Sequence, residues 1–210
     1  GWYRKPVTVN FTAEDNDAGI ESTHYSLNEG AEQIGNSVKI SKDGKYLLQY
    51  WSIDKAGNRE EKKSVEINLD QTAPMITFSE TDGTEYGVNQ ETNITCIAED
   101  ALAGIASSSC KGLIISAYML GLGTHSIIGH AIDKAGNSSS ATLNIRVTVN
   151  YKSLGSLTEQ FLEQSDSKND NPKPFISKLE AAKSSEEKGN IHARNGQIRF
   201  YINQVKTKIG

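Results

Sequence analysis

The pentapeptide Asp-Lys-Ala-Gly-Asn occurs at Asp54–Asn58 and again at Asp133–Asn137, each time closing an apolar run that starts at Tyr46 or His125. A second shared block, Ala13-Glu-Asp-Asn-Asp-Ala-Gly-Ile20 against Ala98-Glu-Asp-Ala-Leu-Ala-Gly-Ile105, lies at an offset of 85 residues, whereas the pentapeptides are offset by 79. The chain is a tandem repeat whose second copy is six residues shorter between the blocks. A repeat of this period points to serial scaffolding units before it points to one active site.

Within each repeat the apolar residues alternate. Val7, Val9, Phe11 and Ala13 are spaced two apart, as are Ile94, Cys96 and Ala98 in the second copy. That period belongs to strands with one buried face. Lys42-Asp-Gly44 and Leu120-Gly-Leu-Gly123 supply turn chemistry before each long apolar run, whose inward face in the first copy is Tyr46, Leu48, Tyr50 and Ser52. About six or seven short strands per repeat suit a pair of antiparallel β-sandwiches. Asp70-Gln-Thr-Ala-Pro74 separates the copies, because proline stops the preceding strand.

After Asn150 the period changes. Leu154, Leu157, Phe161 and Leu162 share one helical face, Phe175, Ile176, Leu179 and Ala182 a second, and Ile191, Ile198, Tyr201, Ile202, Val205 and Ile209 a third. Asn171-Pro-Lys-Pro174 and Gly189-Asn190 separate them. The expected architecture is mainly β with an α C-terminal module: sandwich one over 1–72, sandwich two over 73–150, and a three-helix bundle over 151–210.

Residues 1–150 carry 12 Lys+Arg against 19 Asp+Glu, and residues 151–210 carry 10 against 7. Neither balance fits a nucleic-acid partner, which calls for a concentrated basic face. No apolar run approaches the roughly 20 residues of a membrane span. The start at Gly1 reads directly into a strand without a signal-peptide layout. The expectation is a piece cut from a longer protein.

At the repeat offset, Cys96 and Cys110 fall on Phe11 and Tyr25. An aromatic pair and a cysteine pair in matching places indicate two positions facing each other in one core. A disulfide is expected there, with two buried thiols as the other reading; a stable disulfide favours an extracytoplasmic location.

Asp15, Asp17, Asp54 and Asn58 supply oxygen ligands of the kind calcium accepts. Leu102 replaces Asp17 in the second copy, so the full set exists only in the first. The plainer reading is that each pentapeptide Asp accepts backbone N–H groups at a strand end while Gly-Asn makes the turn. Catalysis has little support: His24, His125, His130 and His192 show no metal-ligand spacing, and the serine runs have no neighbouring base. Trp51 falls on the outward face of its strand, as a stacking platform for a glycan, with His130 as its counterpart in the second copy.

Gly1-Trp-Tyr, Pro6-Val-Thr-Val9, Tyr25-Ser-Leu27, Ile53-Asp-Lys-Ala-Gly-Asn58 and Asp70-Gln-Thr-Ala-Pro74 resemble the bacterial Ig-like repeats of large secreted and surface proteins. Phe175-Ile-Ser-Lys-Leu-Glu-Ala-Ala182 and Phe200-Tyr-Ile-Asn-Gln-Val205 resemble the helical FIMAH module of extracellular Gram-positive proteins. The resemblance implies a non-catalytic C-terminal spacer and attachment region, extracellular or on a bacterial cell surface. Its parent would be a polysaccharide-degrading enzyme, a glycoside hydrolase or polysaccharide lyase, with the catalytic domain in cis and a polysaccharide or cell-wall component as partner. The alternatives are a carbohydrate-binding module using exposed aromatics, and an adhesin stalk stiffened by calcium.

Overall fold

The computed structural model describes residues 1–164 and 171–209, with side chains up to 207, so the side chain of Ile209 lies outside the described residues. Repeat one contains β1 (Trp2–Tyr3), β2 (Val7–Asn10), β3 (Ile20–Leu27), β4 (Gln33–Ile34), β5 (Ser37–Ile40), β6 (Gly44–Asp54) and β7 (Lys63–Leu69). Repeat two contains β8 (Met75–Phe78), β9 (Thr84–Gly87), β10 (Glu91–Ile94), β11 (Cys96–Glu99), β12 (Ile105–Ser108), β13 (Leu113–Ser116), the short helix α1 (Ala117–Leu120), β14 (Gly123–Asp133) and β15 (Ser138–Thr148). The helical region is α2 (Tyr151–Gln164), α3 (Lys173–Glu187) and α4 (Ile191–Ile209). The fold is mainly β, with sandwich-like sheets of largely antiparallel strands and three C-terminal helices.

In repeat one a five-stranded sheet ordered β1-β7-β6-β3-β4 faces the β2-β5 pair. The alternation read along β6 holds: Leu48 is fully buried, and with Tyr25, Val38, Ile40, Ile67 and Leu69 it forms one core, against which Tyr46 and Tyr50 pack. In repeat two the sheet order is β12-β14-β15-β9, accompanied by the pairs β10-β13 and β11-β8. Both repeats run their first long-sheet strand parallel to their last: β1 with β7, β9 with β15.

The chain packs as two compact units. One comprises Gly1–Thr77, Cys96–Cys110 and Gly129–Ala141; the other comprises Phe78–Thr95, Lys111–Ile128 and the chain from Thr142 onward. Strands β14 and β15 contribute residues to both. In the second unit Ile94, Ala117, Leu143, Ile145 and Val147 make a core that Leu157 of α2 packs against, so the helices are built directly onto strand residues. A bundle of this size buries too little apolar surface to be robust alone, and this contact extends its core.

The helix ends follow from the polar residues that bound them. Asn150 Oδ1 accepts the Ser153 N–H at 2.8 Å while Ser153 Oγ accepts the Asn150 N–H at 3.0 Å, a reciprocal cap on α2. Gly189, at φ 71°, turns the chain out of α3, its N–H donating to the Glu186 carbonyl. Asn190 then caps α4 through the Ala193 N–H. Inside the bundle Phe175, Leu179 and Tyr201 are buried, and the Tyr201 hydroxyl meets Thr158 Oγ1 at 2.7 Å, which satisfies a polar group that burial would otherwise penalise.

The expected disulfide is present, joining Cys96 to Cys110 with Cα atoms 5.4 Å apart. The cysteine-for-aromatic exchange has a third member, since Tyr50 maps onto Gly129 at the offset of 79. In repeat one Phe11 lies with its ring centroid 5.5 Å from both Tyr25 and Tyr50. In repeat two a side chain at Gly129 would meet Ile76 Cγ2 at 3.0 Å and Cys96 Sγ at 3.1 Å. The bridge fills the volume that three rings fill in its sibling.

Candidate functional site

The pentapeptide is a clasp. Asp54 ends β6, Gly57 turns the chain at φ 87°, and Asn58 returns to grip the aspartate, its N–H donating to Asp54 Oδ1 and its amide Nδ2 to Oδ2, both at 2.8 Å. Asp133, Gly136 (φ 90°) and Asn137 repeat this with the same two distances. The lysine joins the clasp to the acidic turn: Lys55 N–H donates to the Gly19 carbonyl and Lys134 N–H to that of Gly104. Each acidic turn is closed by its own aspartate. Asp15 Oδ1 accepts N–H groups from residues 17, 18 and 19, and Asp100 Oδ1 accepts those of Leu102 and Gly104.

The two clasps then diverge. Asn58 is exposed, whereas Asn137 Nδ2 also donates to the backbone carbonyls of Asp70, at 2.8 Å, and Thr72, at 3.2 Å. Asp70 is fully buried: its Oδ2 accepts the Ala103 N–H at 2.9 Å, its Oδ1 accepts the Thr72 N–H, and its own N–H donates to the Tyr3 carbonyl. From the repeat-one side, Asp43 accepts the Gln71 N–H, the Gln71 side-chain amide and the Thr72 hydroxyl. Arg4 reaches the Gly136 carbonyl at 3.2 Å. The linker is thus hydrogen-bonded by residues of both repeats, all within one compact unit.

This joint gathers Asp70, Asp100 and Asp133, with one carboxylate oxygen of each within 4.8 Å of the others, the only such group of three potential metal ligands among the described residues. Hard, anionic oxygens of this kind suit calcium or magnesium rather than zinc or copper. The set expected from the sequence differs. Asp15 and Asp54 are close enough to repel one another and Asn58 bonds to Asp54, while Asp17 is exposed; these residues form no group of three acidic ligands among the described residues. In the sequence Asp70 shows only as the start of the linker Asp70–Pro74, and the fuller acidic set lies in the first copy, so nothing there points to Asp70 as a ligand.

Trp51 is where the structure corrects the sequence reading. It is 1% exposed, not an outward platform. His24 stacks on it at 5.8 Å with planes 9° apart, while Arg59 and Lys62 lie 4.6 and 4.4 Å from the ring centroid. His24 in turn sits 2.7 Å from Glu32 through Nδ1 and 2.7 Å from Ser22 Oγ through Nε2. The alternation did place Trp51 on the face opposite Leu48; what it could not show is that charged side chains roof that face. No ring face of Trp51 is open to a sugar. His130 is exposed on β14, and its backbone carbonyl pairs with Ser109.

Hydrogen bonding sets the titration of the clasp. The Asp54 carboxyl is held below its ordinary value of 3.8 by the Asn58 side-chain amide and then the Asn58 N–H, and Asp15 is lowered by the N–H groups of Gly19 and Asp17. Asp43 is lowered by the side chains of Gln71 and Thr72. A depressed folded value contributes stability above pH 3.8 that is lost as pH falls through the folded pKa. Thermal melts from pH 6 to pH 2 should therefore show a destabilisation concentrated at the acid end. Asp54→Asn should flatten that limb, and an unchanged acid limb would count against the clasp as a source; Asp43→Asn tests the linker carboxylate in the same way.

No family model matches the chain, and no curated protein matches it. Among solved structures it is similar to the fibronectin(III)-like modules of CbhA from Clostridium thermocellum, at 15% identity and a TM-score of 0.35, covering 70% of this chain and 88% of that one. It is also similar to the amphioxus IgVJ-C2 molecule, at 10% identity and 0.41, covering 70% and 98%. A further similarity is to the D00-D0 domain of intimin, at 10% and 0.34, covering 69% and 91%.

Proposed function

We propose that the chain is a non-catalytic accessory region of a larger extracellular protein, organised as modules 1–72, 73–150 and 151–210, which sets the spacing of what it joins. The observation that carries this reading is the linker, whose polar groups are bonded from both repeats at once: Asp43 on one side, Asn137 and Ala103 on the other. A flexible tether would leave Gln71 and Thr72 to water. The Cys96–Cys110 disulfide supports an oxidising compartment. Among the described residues no helix is long and apolar enough to cross a membrane. The parent inferred from the sequence resemblance is a polysaccharide-degrading enzyme, acting in cis, with a polysaccharide or cell-wall component as the attachment partner.

The joint makes this testable. In ¹⁵N relaxation measurements residues 1–77 and the joint turns around Ala103 and Asn137 should share one rotational correlation time, and Asn137→Ala should separate them. Independent tumbling in the wild-type chain would end the spacer reading.

A second reading, calcium held at the joint, is favoured by the convergence of Asp70, Asp100 and Asp133. An ion bound only by the folded state raises the melting temperature by mass action, with about 2.7 kcal/mol of stabilisation at 100 times its Kd. The expected outcome is a melting temperature higher in millimolar calcium than in chelator, with Asp133→Asn abolishing the difference. Identical melting in calcium and chelator would remove this reading while leaving the spacer intact.

A further inference from the structure

A cleft of about 710 Å³ opens in repeat one between the segment around Phe11 and the ends of β3, β6 and β7. Its floor is aromatic: Phe11 and Tyr50, both half-buried, lie with ring centroids 5.5 Å apart and planes inclined by 24°. Its rim is polar and carries more acid than base, with Glu14, Asp15, Asp54 and Glu60 against Arg59 and Lys63. Lys63 is engaged by Glu60, and Arg59 points to Glu32 at 3.6 Å and covers Trp51, so the rim cations are already committed.

We propose that this cleft binds a neutral or amino-sugar oligosaccharide, with a pyranose ring packed against Tyr50 and Phe11 and its hydroxyls donating to Glu14 and Asp15 on the rim. Size, concavity and an apolar floor with a few convergent polar groups are the general marks of a small-ligand site. Flat rings offer a large contact area at low conformational cost, and their faces suit the C–H edges of a sugar. The acidic excess selects against uronic, sulfated and phosphorylated polymers, since like-charge juxtaposition is penalised.

The sibling repeat shows that the fold itself does not require the aromatic floor. Cys96, Cys110 and Gly129 stand where repeat one has Phe11, Tyr25 and Tyr50, and repeat two closes its core with a disulfide. The rings are therefore one of two ways to fill the space, and the one whose half-buried Phe11 and Tyr50 line a cleft with a polar rim. The proposal goes beyond the spacer reading and does not rest on it; its failure leaves the joint untouched.

The test is an NMR titration of the ¹⁵N-labelled chain with cellohexaose, chitohexaose and, as an anionic comparison, a heparin hexasaccharide. Expected are saturable shifts with either neutral or amino sugar, centred on Phe11, Asp15, Tyr50 and Asn58. Tyr50→Leu keeps apolar bulk but not the flat ring and should weaken binding about tenfold or more, a difference of about 1.4 kcal/mol, whereas Tyr50→Phe should bind as the parent does. The wild-type shift map locates the site even should Tyr50→Leu prove unstable. Absence of shifts with both sugars, shifts centred elsewhere, equal binding by Tyr50→Leu, or a preference for the heparin fragment would each overturn the proposal.

Discussion

Trp51→Ala should destabilise the chain by about 3–5 kcal/mol, the range for truncating a buried tryptophan, and this should appear as a lower denaturation midpoint with an unchanged slope. The indole is 1% exposed, stacked on His24, and roofed by Arg59 and Lys62. Removing it opens a cavity on one side and strands two cation–π partners on the other. A loss under about 1.5 kcal/mol would mean that the roof is loose and the ring replaceable, contrary to the large-to-small cost of a packed site. The variant is consequently a poor probe of sugar contact, because lost binding would report lost packing. Trp51→Phe, which keeps an aromatic ring under the same cations, separates the two effects.

The double variant Cys96→Ser, Cys110→Ser should cost about 3 kcal/mol, the chain-entropy value for a loop of about 15 residues, given a bridge that spans 14 positions. Thermal melts of the variant and of the parent under reductant should agree. A second, internal check comes from Gly129. A methyl group there would press on Ile76 Cγ2 and Cys96 Sγ, so Gly129→Ala should cost about 1–3 kcal/mol with the bridge intact, as overpacking does. In the serine double variant, where the smaller oxygen leaves room, the same substitution should cost less. Equal costs in both backgrounds would show that the bridge is not what forbids a side chain at 129.

Much of the fold was legible because it is written in periodicity. The alternation Tyr46, Leu48, Tyr50 placed β6 and its inward face, and the change of period after Asn150 placed three helices. The cysteine pair was legible through the repeat, which sets Cys96 and Cys110 on Phe11 and Tyr25; the structure packs those two rings together in one copy and joins the two cysteines in the other. Gly129, the third member of that exchange, carried the same signal and was open to the same comparison. The sites were less legible, because they depend on contacts distant in sequence. Asp70 meets Ala103 across 33 positions and Asn137 across 67, distances over which a linear pattern carries no information. Trp51 shows the complementary limit: alternation assigns a face, but whether that face is open depends on Arg59 and Lys62, which follow the strand and fold back over it.

The parallel pairing of first and last strands bears on how such repeats carry load. Tension applied to the two ends of a repeat drags the parallel neighbours past each other, so every hydrogen bond between them is strained together instead of being opened one at a time from an edge. Repeat one has a short brake of this kind, two residue pairs between β1 and β7; in repeat two the four-pair contact joins β15 to β9, and β8, which precedes β9, pairs separately with β11. Under pulling, the two pairs joining β1 to β7 should therefore part at a lower force than the four joining β9 to β15.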